Sequence, residues 1–175
     1  MQQPAVTSPT IAWGPPISFL PKPLLEPRRP LVSILVGWLT ALVPSILLGA
    51  LVGLLLPNLE QPKIAIPGIF ELSLFVLVAP VVETLIMAGV LALLLKFLPP
   101  TITVIVSAIG WGIAHSLAAP AWGFVIWWLF LVFSVLYVTW RKHSLLAALA
   151  VPAATHALQN LLPSLVILLA GVETG

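Results

Sequence analysis

Residues 68–97 read GIFELSLFVLVAPVVETLIMAGVLALLLKF, a long apolar stretch interrupted near its middle by one carboxylate, Glu83. This stretch decides the fold, because an α-helix that crosses the hydrocarbon core of a bilayer needs about 20 consecutive apolar residues. A charged side chain near the bilayer centre costs about 2.5–3.5 kcal/mol on insertion scales. The segment therefore predicts a membrane-spanning helix, and Glu83 is a candidate functional residue within it.

The composition indicates a membrane protein and excludes several kinds of active site. Of the 175 residues, 61% are hydrophobic and 7% are charged, whereas a soluble domain carries about 25% charged residues. The net charge of +2 and the lack of a basic run interleaved with aromatics argue against a nucleic-acid partner. Cysteine and aspartate are absent, which excludes a thiol nucleophile, a cysteine-ligated metal and an aspartyl dyad. Glutamate, histidine and asparagine remain for chemistry.

Several apolar segments of similar length predict an all-α fold, a polytopic membrane bundle of about five transmembrane helices. The segments lie at about 31–56, 68–97, 101–118, 121–140 and 144–172. Pro44, Pro80 and Pro152 fall inside three of them, and each is expected to remove a helix hydrogen bond and kink its helix. Trp122 and Trp140, near the two ends of the fourth segment, are typical of interfacial anchors.

Residues 1–30 differ from the rest because they are rich in proline, which prevents a continuous helix. We expect an extended, disordered lead-in, without the basic start and apolar run of a cleavable signal peptide. The predicted domains are therefore a Pro-rich cytoplasmic tail at 1–30 and a transmembrane domain at 31–175.

Basic residues set the expected orientation in the membrane. Six of the seven fall at one end of the predicted bundle: Lys22, Arg28, Arg29, Lys96, Arg141 and Lys142. The positive-inside rule assigns that end to the cytoplasm. With five spans, the N-terminus is then cytoplasmic and Glu173 lies outside.

Polar residues interrupt three of the apolar segments: Glu83, then His115, then His156 with Asn160. We place each of them well inside its segment. His156 and Asn160 are four residues apart, so they share one helix face. Polar side chains inside a membrane usually face a bundle interior and mark a functional site. We therefore expect all four to meet in one interior pocket, with Thr84 and Gln159 as candidate hydrogen-bonding partners.

These side chains allow two kinds of hydrolytic chemistry. An apolar surrounding disfavours the charged form of a carboxylate, which suits Glu83 to act as a general base that takes a proton from water and later returns it. Neutral histidine and asparagine side chains supply hydrogen-bond donors for an oxyanion. We expect no required cofactor. The open alternative is a divalent metal such as zinc, held by Glu83, His115 and His156.

Three ordered motifs resemble the CPBP family of intramembrane proteases, which contains the type II CAAX prenyl endopeptidases and the bacterial Abi proteins. The family's first motif, Glu-Glu-x-x-x-Arg, is similar to residues 83–88 (ETLIMA). Its second, Phe-x-x-x-His, is similar to residues 111–115 (WGIAH), and its third, His-x-x-x-Asn, is matched by residues 156–160 (HALQN). The resemblance covers about residues 75–165 and implies a CAAX protease-like core at about 68–172.

The resemblance implies an intramembrane endopeptidase in which Glu83 activates water, while His115, His156 and Asn160 orient the water and stabilise the oxyanion. It also implies a bacterial plasma-membrane protein that acts on a peptide or membrane-protein substrate within the lipid bilayer.

Two departures from the family pattern lie in the first motif, where Thr84 replaces the second Glu and Ala88 replaces the Arg. The alternative function is therefore a catalytically inactive member that serves as a membrane scaffold or a bacteriocin-immunity protein. A small-solute transporter would need a continuous polar pathway, for which the chain has few polar residues.

Overall fold

Six α-helices form most of the regular structure of residues 11–170, the part of the chain that the computed structural model describes. They are α1 (Lys22–Leu25), α2 (Pro30–Leu55), α3 (Ile69–Leu94), α4 (Pro100–Ser116), α5 (Pro120–Trp140) and α6 (Leu145–Ala170). Within α3, the segment Leu74–Val78 is π-helical. The predicted all-α fold is confirmed. Residues 1–10 of the expected tail, residues 171–172 of the fifth segment and Glu173 lie outside the described residues.

Helices α2, α3, α5 and α6 are long and apolar enough to cross a bilayer. Helix α4 is apolar but has 17 residues, which corresponds to about 26 Å of helix. That length is slightly shorter than the hydrocarbon core of about 30 Å. The five predicted segments therefore correspond to α2 to α6, with α4 as the shortest of them.

Helix α5 is the centre of the bundle, and it packs against each of the other helices. All of its residues from Leu129 to Trp140 are buried. Trp140 is only 2% exposed, so the prediction that it anchors the chain at the membrane surface is wrong.

The surrounding helices carry rows of exposed apolar side chains. On α2, Leu31, Leu35 and Leu39 repeat every four residues and are 50–74% exposed. Such a surface is unfavourable in water and matches the hydrocarbon core of a bilayer, in which helices satisfy their own backbone hydrogen bonds. The chain is therefore an integral membrane protein.

The proline-rich lead-in folds against the bundle from residue 11 onward. Ile17 lies in a short 3₁₀ turn and Leu24 lies in α1, and both side chains are at most 1% exposed. The backbone N–H of Gly14 donates a hydrogen bond of 3.0 Å to Thr101 Oγ1 at the start of α4. The prediction of an extended lead-in is therefore wrong for residues 11–29, because burial of two large apolar side chains stabilises the packed arrangement.

A proline in α2 leaves one backbone carbonyl without its helical hydrogen bond, and a side chain from another helix donates to it instead. Pro44 has no N–H to donate to the carbonyl of Thr40, four residues earlier in the helix. The indole Nε1–H of Trp128, on α5, donates to that carbonyl at 2.8 Å. The side chain from the central helix thus compensates for the proline at membrane depth.

Helices α4 and α5 approach each other closely at two glycines. A Cβ added to Gly112 would lie 2.9 Å from the Cβ of Trp127 and 3.2 Å from the carbonyl oxygen of Gly123. A Cβ added to Gly123 would overlap the hydroxyl of Ser116 and the carbonyl oxygen of Gly112. Small residues permit such close approach of membrane helices. This contact lies beside His115 on α4 and sets its distance from α5.

Candidate active site

A cavity of about 240 Å³ lies among the five long helices. Its wall contains the four residues that the sequence predicts for the site: Glu83 from α3, His115 from α4, and His156 and Asn160 from α6. Most of the remaining wall is apolar or aromatic and comes from α5 and α6. Four polar side chains from three helices thus face one small space in an apolar surrounding.

The carboxylate of Glu83 lies near the imidazole of His156. Glu83 Oε2 is 3.9 Å from His156 Nε2, a distance beyond the usual N–H···O hydrogen bond of about 2.7–3.2 Å. The Glu83 side chain is 28% exposed and the His156 side chain 7%, so the carboxylate reaches the cavity while the imidazole is nearly enclosed. Within residues 11–170, Glu83 has no ion pair with a lysine or an arginine.

Aromatic rings hold His156 in place. Its imidazole stacks on Phe133 with the ring centroids 4.7 Å apart, and it lies 5.6 Å from the ring of Phe130. Its Nδ1 atom is buried and has no hydrogen-bond partner among the described residues. Aromatic packing rather than a hydrogen bond therefore fixes the imidazole, and its Nε2 lies near Glu83.

His115 lies at the end of α4 rather than well inside a helix, so the predicted position along the segment is wrong. The physical reason is Pro120, because a proline disfavours helical conformation in the residue before it. Ala119 is accordingly extended, with φ −155° and ψ 120°. His115 Nδ1 is 2.9 Å from the carbonyl oxygen of Trp111. Since a carbonyl only accepts, Nδ1 carries the proton in this contact and Nε2 is left as an acceptor.

Asn160 is tied to the π-helical segment of α3. Its side-chain Nδ2 donates a hydrogen bond of 2.9 Å to the backbone carbonyl of Phe75. The amide group has two N–H donors, so one remains after this contact. Asn160 therefore joins α6 to α3 at the edge of the cavity.

Other wall residues carry no motif that could have indicated them. Ser45, on α2, accepts a hydrogen bond of 3.4 Å from Gln159 Nε2, and Trp122 packs edge-on against the ring of His115 with centroids 5.0 Å apart. Ile64 reaches the cavity from the loop between α2 and α3. Gln159 lines the cavity, as its position three residues after His156 on the same helix face indicates.

Thr84, the other residue predicted to hydrogen-bond with the site residues, makes no hydrogen bond to them. Thr84 is 2% exposed, and its hydroxyl has no hydrogen-bond partner in the part of the chain that the structure describes. The residue that replaces the family's second Glu is thus packed within the bundle beside the site rather than in its wall.

The side chains present do not fit a resident metal ion. Across residues 11–170, no three histidine or acidic side chains come close enough to share a metal, whereas a catalytic zinc site needs three protein ligands. The alternative ligand set of Glu83, His115 and His156 is therefore not assembled, and we assign no step to a metal.

This arrangement predicts that any hydrolysis catalysed by the protein is insensitive to chelators. Purified protein treated with EDTA should show the same rate of any peptide cleavage as untreated protein, and elemental analysis should find far less than one zinc ion per chain. A known zinc protease handled in parallel provides the control. Stoichiometric zinc whose removal stops cleavage and whose return restores it would overturn this prediction.

The fold and the cavity together define an integral membrane bundle whose interior is lined by a carboxylate, two imidazoles and an amide. The family model for the type II CAAX prenyl endopeptidase Rce1-like proteins matches residues 65–162. This range covers more than half of the chain and includes all four predicted site residues. The chain therefore belongs to this family of CAAX-type intramembrane proteases, which confirms the resemblance of the three motifs. No curated protein and no solved structure matches the chain.

Proposed function

We propose that this protein is an intramembrane endopeptidase that hydrolyses a peptide bond with a water molecule activated by Glu83. The observation that carries the proposal is the shared cavity, in which the Glu83 carboxylate lies 3.9 Å from His156 Nε2, with His115 and Asn160 in the same wall. Membership of a family of CAAX endopeptidases supports it. The substrate is a peptide or a segment of a membrane protein.

The reaction needs a base, an acid and donors for a developing negative charge. Glu83 takes one proton from a water molecule as the water oxygen bonds to the carbonyl carbon, which leaves a tetrahedral oxyanion. The same carboxyl group then gives the proton to the amide nitrogen as the C–N bond breaks. The products are a carboxylic acid and an amine, and Glu83 returns to its starting form.

The polar residues around Glu83 have two roles: one orients the attacking water, and the other two stabilise the oxyanion. His115 Nε2 is an acceptor, because Nδ1 donates to the Trp111 carbonyl, so it suits the orientation of the attacking water. His156 Nε2 lies beside the base, and Asn160 keeps one free N–H. These two residues are the donors that suit an oxyanion.

We propose further that the protein lies in a bacterial plasma membrane with its basic end in the cytoplasm. The segment before α2 and the two turns at the same end of the bundle carry six of the seven basic residues, and the positive-inside rule places such an end in the cytoplasm. The cavity wall includes Ile64, Trp122 and Ser164, which lie toward the other end. The active site is then closer to the outer face.

Replacing His156 with alanine tests the proposed oxyanion donor. We expect a loss of about 10²-fold or more in kcat/KM, the usual effect of removing one such donor, measured on a peptide library with purified protein. His143→Ala is the matched control, because His143 lies in the exposed turn before α6, and its rate should stay close to wild type. A folded wild type that cleaves no peptide of the library would favour the inactive scaffold or immunity role.

A further inference from the structure

The π-helical segment of α3 ends where a proline removes a backbone donor. The N–H of Ala79 donates to the carbonyl of Leu74, five residues earlier. The next donor in this pattern would come from residue 80 and would reach the carbonyl of Phe75. Residue 80 is a proline and has no N–H, so the carbonyl of Phe75 loses the backbone partner that the π pattern would give it.

Asn160 supplies the donor that Pro80 lacks. Its Nδ2 lies 2.9 Å from the carbonyl oxygen of Phe75. The assignment of the amide nitrogen to this side follows from chemistry, because two carbonyl oxygens cannot hydrogen-bond to each other. At membrane depth an unsatisfied backbone carbonyl is costly wherever water does not replace the lost donor.

The π segment sets the rotation of Glu83 around the helix axis relative to the first turn of α3. A π turn holds one more residue than a regular turn, so every later residue is displaced by about one position, or roughly 100° around the helix axis. Glu83 lies about two helical turns after Phe75, and both residues line the cavity together with Ala79. Reversion of the segment to a regular α-helix would rotate Glu83 relative to the residues before Leu74, so that the first turn of α3 and Glu83 could not both keep their present positions.

We propose that Asn160 is a positioning residue whose side-chain amide holds the π segment of α3 and so fixes the position of Glu83 in the cavity. This role comes in addition to its part in the proposed hydrolysis. Only its effect on catalysis rests on the proposed function, because the contact between Asn160 and Phe75 has consequences for stability whether or not the protein is an enzyme.

A second bond of the same kind, from a side chain to a carbonyl freed by a proline, lies away from the cavity. Pro44 frees the carbonyl of Thr40, and Trp128 Nε1 donates to it at 2.8 Å. Trp128 is not part of the cavity wall. A Trp128→Phe variant therefore removes the same kind of bond to a carbonyl freed by proline, and it should affect stability without affecting Glu83.

A double-mutant cycle between Pro80 and Asn160 tests the proposal. Asn160→Leu has a similar volume and no donor, and it should lower the Tm of the purified protein by roughly 2–12 °C. In a Pro80→Ala background the same change should cost less than half as much, because the new N–H at residue 80 can donate to Phe75. Equal losses in both backgrounds, or no loss in either, would overturn the proposal.

Hydrogen exchange provides a second measurement that needs no variant of Pro80. The amides of Leu74–Val78 should exchange faster in Asn160→Leu than in wild type, while those around Pro44 stay unchanged. In Trp128→Phe the amides around Pro44 should exchange faster, and those of Leu74–Val78 should stay unchanged. Unchanged exchange in Leu74–Val78 would overturn the proposal.

Activity measures the positioning role of Asn160 and its proposed oxyanion role together. Asn160→Leu should lose about 10-fold or more in kcat/KM, and Trp128→Phe should stay within about 2-fold of wild type. A wild type without hydrolysis would refute the proposed function alone, because the Tm cycle and hydrogen exchange would still decide the role of Asn160.

Discussion

Replacing Glu83 with glutamine should abolish peptide hydrolysis and leave the fold intact. The amide of glutamine cannot accept a proton from water, so the variant loses the general base, a loss of about 10²–10⁴-fold or more. The substitution preserves shape, and the side chain it changes faces a cavity and is 28% exposed. The stability of the protein should therefore change little.

The matched control for this experiment is Glu71→Gln. Glu71 lies in the first turn of the same helix and outside the cavity wall, so its substitution removes the same charge without touching the site. Initial rates on one peptide should stay within about 2-fold of wild type, and the Tm of both variants should match it. Full activity in Glu83→Gln, or an equal loss in Glu71→Gln, would contradict the assignment of the base.

The positions of the long helices could be predicted because local chemistry marks their starts. Helices α2, α4 and α5 begin at Pro30, Pro100 and Pro120, and proline at a first helical position has its φ already set and needs no hydrogen bond. Apolar runs between these prolines are long enough to span a bilayer. Sequence and structure therefore agree on helix bounds with few differences.

The site could be predicted only as far as spacing along single helices allows. His156 and Asn160 share a face because they are four residues apart, and both line the cavity. The positions of Ser45 and Trp122 in the wall depend on how α2 and α5 pack, which no spacing along one helix records. The sequence predicts His115 well inside a helix because its segment stays apolar beyond Ser116. The helix nevertheless ends at Ser116, before Pro120.

The packing of residues 11–29 against the bundle could not be predicted from the local sequence either. Ile17 and Leu24 lie in short apolar stretches between prolines, too short to show helical or strand periodicity, which is the main local signal of a buried face. Their burial against the bundle comes from tertiary contacts that the local sequence does not express.

Replacing Gly123 with alanine should destabilise the bundle and slow hydrolysis together. The added Cβ would overlap the hydroxyl of Ser116 and the carbonyl oxygen of Gly112, so α4 and α5 must separate. Overpacking of this kind costs typically about 1–3 kcal/mol, which corresponds to a fall in Tm of roughly 2–12 °C. His115 is next to Ser116 on α4, so the same movement displaces it from the cavity and lowers kcat/KM.

Gly110→Ala is the control, because a Cβ at Gly110 meets no atom within 4 Å. In a helix interior that change should be neutral or stabilise by about 0.5–1 kcal/mol, and hydrolysis should be unchanged. Adding Ser116→Gly to Gly123→Ala should recover only part of the lost stability, since the carbonyl of Gly112 is backbone and cannot be removed. Equal thermal stability of the Gly123 and Gly110 variants would show that α4 and α5 are not held together at this contact.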